Sequence, residues 1–168
     1  MKLENKKIAL CVTGSIAAIE APKLARELMR SGAEVTAYMT KDAQKIIHPN
    51  ALEFATKREV VTELTGKLEH LSEFDLILIA PATAATIGKI AHGIADMPVA
   101  ALALSSRAKV LLAPAMHRSM YEHQFLKENL QKLKKLGYRI VEPRMEEGAA
   151  KLAKINDIVD SVIFELHK

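Results

Sequence analysis

Hydroxyl-bearing and polar residues directly follow four short apolar runs of the sequence. Residues 13–16 (TGSI) follow the first run, Thr40 follows the second, and Thr83 and Thr86 follow the third. The fourth run leads into residues 114–121 (PAMHRSMY). A hydroxyl at a helix start caps the helix, and the free N–H groups and helix dipole there favour a phosphate. Taken together, the four segments predict a pocket for a phosphorylated, hydrogen-bonding ligand.

The first of these segments limits the kind of ligand. It has one glycine, Gly14, so it is neither the three-glycine fingerprint of dinucleotide-binding proteins nor a Walker A loop. It therefore favours a mononucleotide or a lone phosphate. By itself, the pair Gly14-Ser15 is equally consistent with a tight turn and a helix cap.

Alternating strands and helices are predicted to position these segments. The predicted strands are Lys7–Val12, Glu34–Met39, 75–80, 109–113 and 138–141, and the predicted helices are 16–30, 84–95, 120–136 and 151–166. The third strand is apolar throughout, which is typical of a strand buried on both faces. This order predicts an α/β fold, a doubly wound parallel sheet in three layers forming one domain over residues 1–168. Ligands of such sheets bind beyond the carboxyl ends of the strands.

Composition excludes several classes of protein. The chain has 168 residues, 49% of them apolar and only 4% aromatic, so its core is expected to consist of Ala, Val, Ile and Leu. The net charge of +4 is spread over every segment, which argues against a nucleic-acid partner. No apolar run is long enough to span a membrane. A single cysteine, Cys11, and six scattered histidines favour neither a disulfide nor a metal site. We expect a soluble, cytoplasmic protein.

Three motifs resemble those of one family. Residues 12–18 (VTGSIAA), 80–96 (APATAATIGKIAHGIAD) and 114–121 (PAMHRSMY) are similar to the phosphate loop, the P-A-S-A-N-T motif with its helix, and the P-x-M-N-x-x-M-W motif of the homo-oligomeric flavin-containing cysteine decarboxylases. That family includes the phosphopantothenoylcysteine decarboxylases, and flavin prenyltransferases are more distant relatives. The resemblance covers nearly the whole chain.

The resemblance implies a fold, a cofactor and an assembly. It implies a Rossmann-like sheet, FMN bound near a subunit interface, and a homotrimer or dodecamer. Asp96 is equally consistent with a structural bond at the end of a helix. The residues implied to contact FMN are Gly14, Ser15, Ile16, Thr40, Thr83, Thr86, Asp96, Met116 and Met120.

The sequence departs from the family pattern at the positions expected to do chemistry. An ungapped alignment places Lys67 where the decarboxylases have a histidine, with His70 three residues later. Ala85 and His117 replace the two asparagines of the motifs, and residues 142–151 lack the cysteine of the family's flap. We therefore treat His117 and Lys67 as the candidate catalytic residues.

These departures favour a changed reaction on the same cofactor. The leading hypothesis is an FMN-dependent redox enzyme, a reductase or electron carrier acting on a small substrate or an electron donor or acceptor. Three alternatives stay open. They are a phosphopantothenoylcysteine decarboxylase-like enzyme with a rewired site, a flavin prenyltransferase-like enzyme, and a non-catalytic flavin-binding subunit.

Overall fold

The protein folds around a parallel sheet, with a smaller antiparallel sheet beside it. A computed structural model describes residues 1–66 and 73–168. The strands there are β1 (Lys7–Val12), β2 (Glu34–Met39), β3 (Leu76–Ala82), β4 (Lys109–Pro114), β5 (Met116–His117), β6 (Arg139–Ile140), β7 (Arg144–Glu146) and β8 (Ala149–Lys151). The helices are α1 (Ala21–Arg30), α2 (Pro49–Thr56), α3 (Ala84–Ala91), α4 (Pro98–Ser105), α5 (Arg118–Tyr121), α6 (Gln124–Lys135) and α7 (Ile155–His167), with 3₁₀ helices at Ile16–Glu20 and Ala43–Lys45. None of these helices has the length and apolar character needed to cross a bilayer.

The large sheet has the order β2-β1-β3-β4-β6, and every neighbouring pair is parallel. From β1 the chain moves outward to β2 and then returns to β3 on the other side of β1. The strand order therefore reverses between β1 and β3, which is where a ligand crevice is expected at the carboxyl edge. The predicted doubly wound, Rossmann-like sheet is confirmed, and the strands β1 and β2 have the predicted bounds.

Alternate residues of the central strands point into two separate cores, one on each face of the sheet. Ile8 and Leu10 of β1 pack in the core formed with α1, α2 and α7. Ala9 and Cys11 pack with α3, α4 and α6 on the opposite face. All seven residues of β3 are buried, as the unbroken apolar run predicts. Burial raises the pKa of the Cys11 thiol, which stays protonated and acts as a small apolar side chain.

None of the four predicted helices has its predicted bounds, and the first, 16–30, is a 3₁₀ helix followed by α1. The predicted helix 120–136 is two helices, α5 and α6, because His123 caps α6 by accepting a hydrogen bond from the Phe125 N–H at 3.2 Å. The predicted helix 84–95 ends at Ala91, and α4 was not predicted. Helix α4 (PVAALALS) is apolar on nearly all sides, so it has no helical periodicity to detect.

The second sheet was not predicted. Strands β5, β8 and β7 form an antiparallel sheet in that order, and β7 and β8 make a hairpin. Glu147 and Gly148 form its two-residue turn with φ of 50° and 72°, as hairpin turns that match strand twist require. Because residues 149–151 pair in this sheet, the last helix begins at Ile155 and not at residue 151 as predicted.

Candidate functional site

A cavity of about 650 Å³ lies beyond the carboxyl ends of β1, β3 and β4. Its walls are residues 14–17 after β1, 83–85 after β3, 115–117 after β4, and 149–152 at the end of the hairpin. Its lining is mostly apolar, and its volume is within the range of small-molecule and cofactor sites. Three of the four hydroxyl-bearing or polar segments singled out in the sequence therefore meet in one place.

Thr13 joins two walls of this cavity from beneath. Its side chain is fully buried. Its hydroxyl donates to the Pro81 carbonyl at 2.6 Å and accepts from the Thr83 N–H at 3.0 Å. These two bonds hold the loop after β1 against the loop after β3. Thr13 lies in the segment that the sequence singled out after the first apolar run, but it was not counted among the residues expected to contact the cofactor.

Gly14 allows the loops after β1 and β2 to pack together. A Cβ atom at Gly14 would lie 2.5 Å from the Asp42 Cβ, closer than nonbonded carbons approach. The contact between these two loops thus requires a glycine, in addition to any need for a ligand to approach the backbone. Next to it, the Ser15 hydroxyl accepts a hydrogen bond from the Ala17 N–H at 3.2 Å and caps the 3₁₀ helix, while its own proton stays available to a ligand.

The three predicted threonines all make hydrogen bonds at the start of a helix. Thr83 caps α3, accepting from the Thr86 N–H at 3.3 Å and donating to the Thr86 hydroxyl at 3.0 Å. Thr40 accepts from the Ala43 N–H at 3.2 Å. Only Thr83 of the three contributes to the cavity lining.

Most residues predicted to contact the cofactor meet at the cavity. Asp96 is not part of the lining, and its carboxylate lies 3.0 Å from the Lys89 ammonium, the structural bond that the sequence also allowed. The residues that line the cavity are Gly14, Ser15, Ile16, Thr83, Met116 and Met120. Those outside its lining are Thr40, Thr86 and Asp96.

Of the two candidate catalytic residues, His117 lies at the cavity. It ends β5, where its backbone pairs with Ala149 of the hairpin, and its exposed side chain is part of the lining. Ala85, which replaces the other motif asparagine, lines the cavity with a methyl group. Lys67 and the neighbouring His70 lie outside the described residues.

The hairpin supplies two cations that sequence reasoning missed. Arg144 and Lys151 both line the cavity. The Arg144 guanidinium donates to the Leu152 carbonyl at 3.0 Å and lies 3.0 Å from a Glu146 carboxylate oxygen. The Lys151 ammonium lies 2.5 Å from a Glu147 carboxylate oxygen and lowers the pKa of that carboxyl. Only the antiparallel pairing brings these charges to the cavity.

Tyr121 anchors the motif that carries His117. Its hydroxyl donates to a Glu142 carboxylate oxygen at 2.7 Å, and burial together with this carboxylate raises the pKa of Tyr121. Lys134 approaches the other oxygen of Glu142 at 3.4 Å. This contact ties α5 to the segment that leads into the hairpin.

Comparison with known proteins places this architecture among flavin enzymes. Residues 1–167 match the family model described as Flavoprotein. The coenzyme A biosynthesis bifunctional protein CoaBC of Thermococcus kodakarensis is 54% identical, over 99% of this chain and 43% of its own length. A probable phosphopantothenoylcysteine decarboxylase of Streptococcus mutans is 34% identical, over 94% of this chain and 97% of its own. The chain thus spans about two fifths of the bifunctional relative and nearly all of the second.

Solved structures show the same fold. The FMN-dependent cysteine decarboxylase SpaF has a TM-score of 0.88 at 27% identity, covering 99% of both chains. The peptidyl-cysteine decarboxylase EpiD has a TM-score of 0.85 at 26% identity, covering 94% of this chain and 98% of its own.

Proposed function

The chain belongs to the Flavoprotein family, and from this premise we propose that it binds FMN and decarboxylates phosphopantothenoylcysteine. The observation that carries the proposal is the cavity in which three motif segments meet beside a hairpin that presents two cations. The names of relatives that align with nearly the whole chain support this reaction. The second activity implied by the bifunctional relatives' name is not part of the proposal.

The cavity suits FMN in size and in the chemistry of its lining. Its volume is about 650 Å³. The hydroxyls of Ser15 and Thr83 suit the polar part of the cofactor, while Ile16, Met116 and Met120 offer apolar contacts to the ring. When bound, FMN supplies oxidation at the thiol-bearing end of a cysteine-type substrate, which makes release of its carboxyl group as carbon dioxide possible.

His117 is the residue we assign to the substrate carboxylate. It faces the cavity from the end of β5, and one ring nitrogen can donate a hydrogen bond to a carboxylate oxygen. Arg144 and Lys151 add N–H donors to the lining of the same cavity.

The test incubates phosphopantothenoylcysteine with the purified, FMN-loaded protein. Mass spectrometry then measures the loss of carbon dioxide from the substrate. His117→Ala is expected to lower kcat/KM about 100-fold, the usual effect of removing one positioned donor. His117→Asn keeps a donor at this position and is expected to recover part of that loss. His167→Ala, a matched exposed histidine outside the cavity lining, is expected to leave kcat/KM unchanged.

The same preparation distinguishes the other interpretations. A yellow protein that oxidises a reduced nicotinamide but leaves the substrate intact would support the reductase or electron-carrier hypothesis, which the relatives' names do not favour. A yellow protein that is inert in both assays would support a flavin-binding subunit. A colourless protein that does not take up FMN would overturn the cofactor assignment.

We further infer that the chain assembles with copies of itself in the cytoplasm and acts as one domain over residues 1–168. Large apolar side chains near the cavity are exposed, Ile16 by 75% and Phe125 by 72%. Such a patch is typical of an interface between protein chains. Light scattering coupled to size exclusion is expected to give a mass that is a multiple of 18.5 kDa, with a trimer as the smallest assembly.

A further inference from the structure

A second cavity adjoins the one described above and is more polar. It has a volume of about 340 Å³ and lies between α1, the end of the hairpin and the start of α7. Glu20, Arg144 and Leu152 line both cavities, so the two are continuous at these residues. We refer to the first as the flavin cavity and to the second as the lysine groove, after Lys23 and Lys154 in its lining.

The two cavities differ in how their cations are paired. In the flavin cavity, Arg144 and Lys151 are held by carboxylates of their own hairpin. In the lysine groove, Lys23 and Lys154 are exposed and have no ion pair with any residue of 1–66 or 73–168. Within residues 1–66 and 73–168, two uncommitted positive side chains next to the flavin cavity therefore lie in the groove.

The proposed substrate has charged groups at opposite ends. Its cysteine end carries the thiol and the carboxylate that react, and its other end carries a phosphate with a charge of about −1.5 to −2 at neutral pH. With FMN and the reacting end both assigned to the flavin cavity, we place the phosphate in the space that adjoins it. The lysine groove is the adjoining space that offers free ammonium groups, which bind phosphate as point charges.

We propose that the lysine groove is the phosphate subsite of the substrate and that Lys23 and Lys154 determine specificity for the phosphorylated form. The assignment rests on the proposed function. Arg144 lies where the groove meets the flavin cavity, so the chain linking the two ends of the substrate passes it.

Two carboxylates of the groove limit where in it a phosphate can bind. Glu27 lies 2.5 Å from Arg30 and is neutralised by it. Glu20, at the junction of the two cavities, has no ion pair among the described residues and repels a phosphate placed beside it. The phosphate is therefore directed past Glu20 towards the two lysines, and Glu20→Gln is expected to lower KM for the phosphorylated substrate about two- to threefold.

The experiment compares phosphopantothenoylcysteine with the same compound lacking the phosphate, using FMN-loaded protein. Lys23→Gln with Lys154→Gln is expected to raise KM for the phosphorylated compound about tenfold. It should leave kcat for both compounds, and KM for the unphosphorylated one, within about twofold. Lys132→Gln, an exposed lysine of α6 outside both cavities, is the matched control and should change neither KM.

Calorimetric titration of both compounds separates the two proposals. If the double variant binds the phosphorylated compound more weakly and the unphosphorylated compound as before, the result supports the subsite. This holds even if no carbon dioxide is released and the proposed function fails. Equal weakening for both compounds, or unchanged binding of the phosphorylated one, would overturn the subsite while turnover by the wild-type protein still supports the proposed function.

Discussion

The two sides of the flavin cavity are held in place by different forces. On the sheet side, the loops after β1 and β3 are joined by the fully buried Thr13, which bonds to Pro81 and Thr83. On the hairpin side, β7 and β8 carry exposed ion pairs such as that of Lys151 with Glu147. Buried hydrogen bonds are expensive to break, whereas exposed ion pairs contribute about 0–1 kcal/mol. The cavity therefore combines a side fixed by buried hydrogen bonds with a hairpin side held by exposed ion pairs.

The largest expected difference between the two sides comes from the hydrophobic core beneath the loops after β1 and β3. Leu78→Ala in β3 removes a fully buried side chain and should lower the free energy of unfolding by about 2–5 kcal/mol. Met145→Ala, in β7, truncates a side chain that is 44% exposed and should cost less than about 0.5 kcal/mol. Urea denaturation measures both, and equal losses would contradict the comparison.

The next effect tests the bonds that join the two loops. Thr13→Val keeps the shape of the side chain but leaves the Pro81 carbonyl and the Thr83 N–H without this partner, which should cost about 2 kcal/mol. The same change at the half-buried Thr36 of β2 should stay within about 0.5 kcal/mol. Chemical denaturation gives the stability, and a fluorescence titration with FMN should show weaker binding for Thr13→Val alone.

A smaller effect is expected from the contact between the loops after β1 and β2. Gly14→Ala places a Cβ atom 2.5 Å from the Asp42 Cβ, and the resulting shift should cost about 1.5 kcal/mol. Gly88→Ala, within α3, is the control, because its Cβ atom would meet only the side-chain nitrogen of Asn129 in α6, at 3.6 Å. That change should raise the free energy of unfolding by about 0.5–1 kcal/mol. If both variants melted at the same temperature, the close packing at Gly14 would be refuted.

The smallest effect lies on the hairpin and depends on pH. The Lys151 ammonium lowers the pKa of Glu147 below its ordinary value of 4.5, so the stabilising pair is complete above that value. It is lost as the pH falls through the lowered pKa. A carboxyl NMR titration should place the Glu147 midpoint below 4.5, and in Lys151→Gln the midpoint should return towards it. An unchanged midpoint in the variant would show that the pair does not form in solution.

The elements that the sequence predicts well are those whose signal is local. Strands β1 and β2 have their predicted bounds because short apolar runs end at a threonine before a helix. Six of the nine residues implied by the family motifs meet at the flavin cavity. They do so because each motif follows a parallel strand, and parallel strands end at one edge of the sheet.

The sequence by itself thus determined the parallel sheet, the edge of the sheet at which the cavity lies and the family of the chain. Only the tertiary structure decided the hairpin wall and the lysine groove. Pairing of β5 with β8 joins Met116 to Ala150, and the groove brings Lys23 of α1 near Lys154. Neither contact has a local sequence pattern, because the sequence of a short strand or an exposed lysine does not indicate which distant segment it meets. Their position depends on packing between segments more than 30 residues apart in the sequence.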